Sequence, residues 1–119
     1  MYLCPMYSSE LIKGTLKTII LKLLKEQGKM YGYEMTQKVK DLTNGQIQIT
    51  EGALYPTLHS LEKKGELVTE KEYIGKRVRK YYSLTEQGQL TSEQKVNEFT
   101  DFMNTMKFLL DLEPKLGNA

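Results

Sequence analysis

The chain has 119 residues, 39% hydrophobic and 27% charged, with 17 Lys and Arg against 15 Asp and Glu for a formal net charge of +2. That is the composition of one small globular domain, and the charge is too slight by itself to mark a nucleic-acid partner. No apolar run approaches the ~18 residues of a transmembrane helix and residues 1–9 lack a secretory leader pattern, so a soluble, cytoplasmic protein without membrane association is expected.

The first predicted element runs from Ser9 to about Gln27, where Ile12, Leu16, Ile19, Ile20, Leu23 and Leu24 recur at helical spacing. Ser8 or Ser9 can cap it, Glu10 suits its first turn, and Gly28 suits the left-handed position past its end. Met35, Val39 and Leu42 mark a second helix from about Tyr31 to Leu42, stopped by Asn44-Gly45. Gln46 to Ile49 alternates with period two and reads as one short strand. Thr50 then caps a third helix with Leu54, Leu58 and Leu61 as its inward stripe and Gly65 as its stop, and Pro56 implies a tight or kinked first turn.

Glu66 to Tyr73 and Val78 to Leu84 read as two strands joined by Ile74-Gly75-Lys76-Arg77. Alternation places Arg77 and Arg79 on one side with Tyr81, and Lys80 on the other with Tyr82. Thr85 caps a last helix that is weakened early by Gly88 and then carries Val96, Phe99, Met103, Met106 and Leu110 at alternating steps of three and four, up to Pro114. Residues 115–119 read as a frayed tail.

A helix-turn-helix followed by a basic hairpin is a winged helix. The expected class is therefore mainly α with a small β-hairpin wing: a winged-helix DNA-binding unit over residues 1–85 and a dimerisation helix and tail over residues 86–119. Charge follows the same division, with 14 Lys and Arg against 9 Asp and Glu in the first part and 3 against 6 in the second. A helix fits the major groove and a hairpin lies against the neighbouring backbone or minor groove. The polar residues of the third helix, Tyr55, Thr57, His59, Ser60, Lys63 and Lys64, suit a groove, and Lys76, Arg77, Arg79 and Lys80 suit phosphates. Winged helices also serve as protein-binding modules, so an adaptor without operator binding is the alternative reading.

Three separated motifs carry a resemblance. Tyr31-Gly32-Tyr33-Glu34, then Glu51-Gly52-Ala53-Leu54-Tyr55-Pro56-Thr57-Leu58 with Leu61-Glu62-Lys63-Lys64-Gly65, then Gly75 to Thr85 with Gly88, closely resemble PadR-family transcriptional regulators over about residues 10 to 88. The short C-terminal part resembles the compact branch of that family, with a single last helix. The resemblance implies a homodimeric repressor whose last helix crosses onto its partner and which releases its promoter when a small phenolic or drug-like molecule, or another signal, is sensed; the two-fold symmetry of such a dimer leads to a palindromic operator. Half-sites about 10 base pairs apart, or a multiple of that, are expected for such a dimer.

On this reading the candidate DNA-facing residues of the helices are Tyr33, Thr50, Gly52, Tyr55, Thr57, His59, Ser60 and Lys64. Those of the wing are Lys76, Arg77, Arg79 and Lys80. The dimer face is assigned to Ile12, Leu16 and Ile19 with Val96, Phe99, Met103, Met106 and Leu110. A candidate effector pocket falls on Tyr7, Phe99, Phe102 and Met103, with Tyr2 a further aromatic candidate.

An enzyme is not expected. The chain has one histidine, His59, and one cysteine, Cys4, which reads as a structural or bystander thiol. These leave no Ser/His/Asp or Cys/His set, disulfide framework or Cys/His zinc site, and no glycine-rich loop cradles a phosphate. No cofactor and no metal are expected.

Overall fold

The computed structural model describes residues 7–110; Tyr2, Cys4 and the tail at 115–119 lie outside them. The elements are α1 (Ser9–Gln27), β1 (Met30–Tyr31), α2 (Gly32–Leu42), α3 (Glu51–Lys63), β2 (Leu67–Ile74), β3 (Arg77–Leu84) and α4 (Glu86–Leu109). Four helices thus surround a three-stranded antiparallel sheet in the order β1-β3-β2. This is the winged helix expected from the sequence.

The core explains the order. Leu16, Ile20, Leu21, Leu23 and Leu24 of α1, Met35 and Val39 of α2, and Leu54, Leu58 and Leu61 of α3 converge with Met30, Leu67 and Tyr82 of the sheet. The capping residues act as read: the Ser8 hydroxyl accepts from the Leu11 N–H, Thr50 from Ala53 and Thr85 from Gly88. Each satisfies one of the N–H groups a helix leaves without an internal partner.

Two expectations are corrected. Residues 46–49 form no strand, because their amides are used locally: the Ile47 N–H donates to the Thr43 hydroxyl at 3.0 Å and the Gln46 N–H to the Thr43 carbonyl at 3.0 Å. The third strand is Met30–Tyr31 instead, paired with β3 in the register Met30 to Tyr82 and Tyr31 to Tyr81. Leu16 is not on a dimer face but 2% exposed in the subunit's own core, since it shares a side of α1 with Ile20 and Leu23.

β2 and β3 pair along their full length from Leu67 with Leu84 to Ile74 with Arg77, so the wing turn is only Gly75 and Lys76. Gly75 has φ of 62° and Lys76 does not share it, the pattern of a two-residue turn with glycine first. α3 runs through Pro56 to Lys63. The missing Pro56 N–H leaves the carbonyl of Gly52 without its helical donor, and Gly52 is exposed to water.

Gly88 does not break α4. It is buried where the helix crosses the α3–β2 turn, and a methyl group there would have its carbon 3.1 Å from the Glu66 carbonyl carbon, with the carbonyl oxygen closer still. The same turn is tied to α4 through the Thr85 hydroxyl, which donates to the Gly65 carbonyl at 2.7 Å, and the Thr91 hydroxyl, which donates to the Glu66 carboxylate at 3.1 Å. The start of α4 is therefore anchored to the winged-helix body.

Candidate nucleic-acid interface

Helical phase decides which α3 residues face outward. Leu54, Leu58 and Leu61 point into the core, which leaves Gly52, Tyr55, Pro56, His59 and Lys63 on the exposed side. Thr57 is corrected from the outer face: it lies three residues after Leu54 and four before Leu61, and is half-buried. Its hydroxyl donates to the Ala53 carbonyl at 3.0 Å, and its side chain borders the hollow between α1 and α4. Ser60, one turn on, is also half-buried. Pro56 was absent from the sequence assignment, which sorted residues by polarity rather than by angle around the helix.

Lys64 is exposed beside Lys17 of α1, and its proximity is the first cause holding the Lys17 pKa below the ordinary 10.5, followed by burial and by repulsion from Lys95. Lys64 therefore belongs to a cationic corner at the C-terminal end of α3.

At the other end of α3, Tyr55 is locked against the start of α2. Its ring covers Gly32, whose β-position would lie 2.7 Å from the tyrosine Cζ. Tyr33 beside it is 58% exposed. The Tyr31 N–H donates to the Glu34 carboxylate at 3.0 Å, fixing the first turn of α2. Tyr33, Gly52 and Tyr55 thus occupy two neighbouring helix starts, with Thr50 exposed at the α3 cap.

The four wing cations divide into two pairs. The Arg79 guanidinium lies 4.4 Å from the centre of the Tyr31 ring, which meets the Tyr81 ring edge to face at 5.4 Å. Its interaction with the Tyr81 phenol is the first cause raising the Arg79 pKa above its ordinary value. Lys80, on the opposite side, sits 3.7 Å from the Glu62 carboxylate of α3 and 5.6 Å from the Tyr82 ring centre. Lys76 and Arg77 at the tip are exposed and have no partner among the described residues.

The wing's own acids are engaged. Lys29, before β1, reaches Glu72 at 2.9 Å and Glu70 at 3.4 Å and lies 5.1 Å from the Tyr81 ring centre. These carboxylates raise the Lys29 pKa above 10.5, the hydrogen bond to Glu72 first. Lys76 and Arg77 at the tip and Lys71 along the arm are therefore the hairpin cations left without an acidic partner among the described residues.

A second feature lies away from the wing. α1 and α4 border an open, mainly apolar groove of about 1060 Å³ lined by Tyr7, Ile12, Ile19, Phe99, Phe102, Met103 and Met106, with Thr57 and Ile47 at its floor. The Tyr7 hydroxyl donates to Gln46 at 3.2 Å, which holds one end of the groove. Val96 and Phe99 are half-buried, while Phe102, Met103 and Leu110 are 56%, 41% and 55% exposed. Among the described residues no group of His, Cys, Asp and Glu is placed to hold a metal, and no helix is long and apolar enough to cross a membrane.

This helix-turn-helix with a basic hairpin defines the winged-helix class. The sequence model of the transcriptional regulator PadR-like family matches residues 20–94, and the chain belongs to that family. An uncharacterized protein of Lysinibacillus sphaericus is 36% identical over 111 residues, covering 90% of this chain and 94% of its own. Among solved structures, a transcriptional regulator from Clostridium thermocellum superposes with a TM-score of 0.77 at 32% identity, over 83% of this chain and 96% of that one. Bacillus subtilis PadR in complex with operator DNA gives a TM-score of 0.62 at 27% identity, over 68% of this chain and 46% of that one.

Proposed function

We propose that this regulator binds operator DNA as a homodimer and acts as a ligand-responsive repressor, with residues 1–85 as the DNA-binding unit and residues 86–119 as the dimerisation segment. One observation carries the DNA assignment. The outward line Gly52, Tyr55, Pro56, His59 and Lys63 on α3 shares the body with the uncommitted cations Lys76 and Arg77 at the wing tip. A groove-sized helix beside a cationic tip is the layout that reads bases with one element and neutralises phosphate with the other. The likeness to a relative solved with operator DNA supports the same reading.

The dimer is assigned to the apolar side of α4, where Phe99, Phe102, Met103, Met106 and Leu110 continue beyond what α1 covers, together with Ile12 and Ile19. Closing this side with a second copy would turn the open groove into a chamber between subunits. Tyr7, Phe99, Phe102 and Met103 would line it, and a small aromatic or drug-like effector is the ligand class it suits.

The test is a binding titration of the full chain on the DNA upstream of its own gene across a salt series, repeated with phenolic and lipophilic cationic compounds. Affinity that falls steeply with salt, saturates at two subunits per site and changes with one of these compounds is the expected result. Salt-insensitive association, or none, would favour a protein-binding module instead.

A further inference from the structure

α1 and α4 pack antiparallel, with the Lys25 amine 3.1 Å from the Glu93 carboxylate and 3.5 Å from the Gln89 side chain. The groove beside them therefore has a direction. Lys17 and Lys95 stand at one end, Tyr7 and Met106 at the other, and Ile12 and Phe99 between them. From the start of α1 to Lys17 is about 12 Å of helix, so the apolar stretch is longer than a single aromatic ring.

Charge along this groove is uneven. Lys17 of α1 stands beside Lys64, the residue that ends α3, and Lys95 of α4 acts on it as well. Three helices thus bring three ammonium groups to one end. The carboxylates nearby are already engaged: Glu66 is buried and accepts from the Thr91 hydroxyl at 3.1 Å, and Glu98 lies 3.4 Å from Lys95. Lys17 and Lys64 have no acid within salt-bridge reach among the described residues. On an open face such lysines would spread into water, but Lys17 and Lys95 are half-buried at the groove wall. Like charges held together in this way are relieved by an anion placed among them.

We propose that the groove takes a carboxylate with an extended aliphatic body, its head among Lys17, Lys64 and Lys95 and its body along Ile12, Phe99 and Phe102. The inference rests on the effector-pocket reading above and adds to it the sign of the ligand's charge and its orientation. The length of the apolar stretch suits a chain better than one ring, and Met103 and Met106 are side chains that adapt to a flexible body. In this orientation the head meets the C-terminal end of α3. Lys64 would then share a partner with Lys17 and Lys95, tying α3 to both helices of the groove.

The experiment titrates the full chain by calorimetry with decanoate, decanol and decyltrimethylammonium, which share a body and differ in head charge, each below the concentration at which it forms micelles. Decanoate should bind about tenfold more tightly than decanol, and the cation should bind most weakly. Lys17→Gln with Lys95→Gln should bring decanoate down to the affinity of decanol and leave decanol unchanged, while arginine at both positions should keep the preference. Thermal melts establish that each variant is folded. If the double glutamine variant is not, Lys64→Gln at an exposed position supplies the comparison, with a smaller loss in the same direction. Equal affinity for the three probes, or preference for the cation, would overturn the head site while leaving an apolar effector groove. Decanoate binding that ignores the glutamine substitutions would overturn it too, because the acid would then sit elsewhere. Absence of binding by all three probes would also overturn it, and the titration with phenolic compounds would still decide the effector reading by itself.

Discussion

The ring of Tyr55 rests directly on Gly32, so closely that a methyl group at Gly32 would have its carbon 2.7 Å from Cζ and 3.0 Å from Cε1. This contact places the Tyr55 side chain of α3 over the start of α2. Gly32→Ala should cost up to about 1 kcal/mol of stability, because the atoms it meets are the outer end of a half-exposed tyrosine that can swing aside and an alanine brings a helix some gain. Because Tyr55 is the group that clashes, adding Tyr55→Ala should restore part of the loss. Denaturant unfolding of the two single variants and the double variant checks this, with strong non-additivity expected.

Gly52 gives the opposite case. Nothing lies within 4 Å of its β-position, and it is exposed near the start of α3. Gly52→Ala should leave the fold equally stable or up to about 1 kcal/mol more stable. If the α3 backbone approaches DNA closely here, the same change should weaken operator binding. Melting and DNA titration on one preparation would show stability and affinity moving in opposite directions.

The wing cations should differ in the kind of loss they produce. Arg77→Ala removes an uncommitted charge, and the slope of log affinity against log salt should fall by about one unit with sequence preference retained. Arg79→Ala also removes the guanidinium packed on Tyr31, so it should lower the melting temperature as well. Thermal melts beside a salt titration separate the two.

Phe99→Asp with Met103→Asp places two charges in the apolar groove between α1 and α4. On the proposed assembly, light scattering should report dimer for wild type and monomer for this variant. A stable dimer after this change would remove the α4 interface from consideration.

Tyr82 supplies a pH dependence. Burial is the first cause raising its phenol above the ordinary 10.0, with the Glu62 charge second. A raised folded-state pKa means the stability is fully present below the unfolded value and is lost as pH rises through the folded one. Wild type should therefore lose melting temperature above about pH 10 more steeply than Tyr82→Phe. Melts between neutral and strongly alkaline pH compare the two slopes.

The sequence was most legible where a pattern repeats. The leucines of α1 and α3 set their inward stripes, and strand alternation separated Arg79 with Tyr81 from Lys80 with Tyr82. It was least legible where a partner outside the segment decides. Met30–Tyr31 is too short to show a period and is a strand only because β3 lies alongside, whereas residues 46–49 alternate but spend amides on Thr43. Thr57 is polar yet belongs to the inner flank of α3, which its distance from Leu54 and Leu61 could have indicated. Gly88 reads as a weak point from the sequence alone, whereas in the fold the Glu66 carbonyl lies against it.

The two-sided use of β3 makes odd and even positions unequal. Counting back from Tyr82, which is pinned opposite Met30, Lys80 falls on the α3 side and Arg79 on the Tyr31 side. One residue inserted between Lys80 and Tyr81 would exchange these destinations, leaving Glu62 without its lysine and Tyr31 without its arginine. Two inserted residues would restore the parity of the faces, with the inserted pair taking the places beside Glu62 and Tyr31 and the arm lengthened beyond them. Changes of wing length in working versions of this protein should therefore come in even steps on each strand.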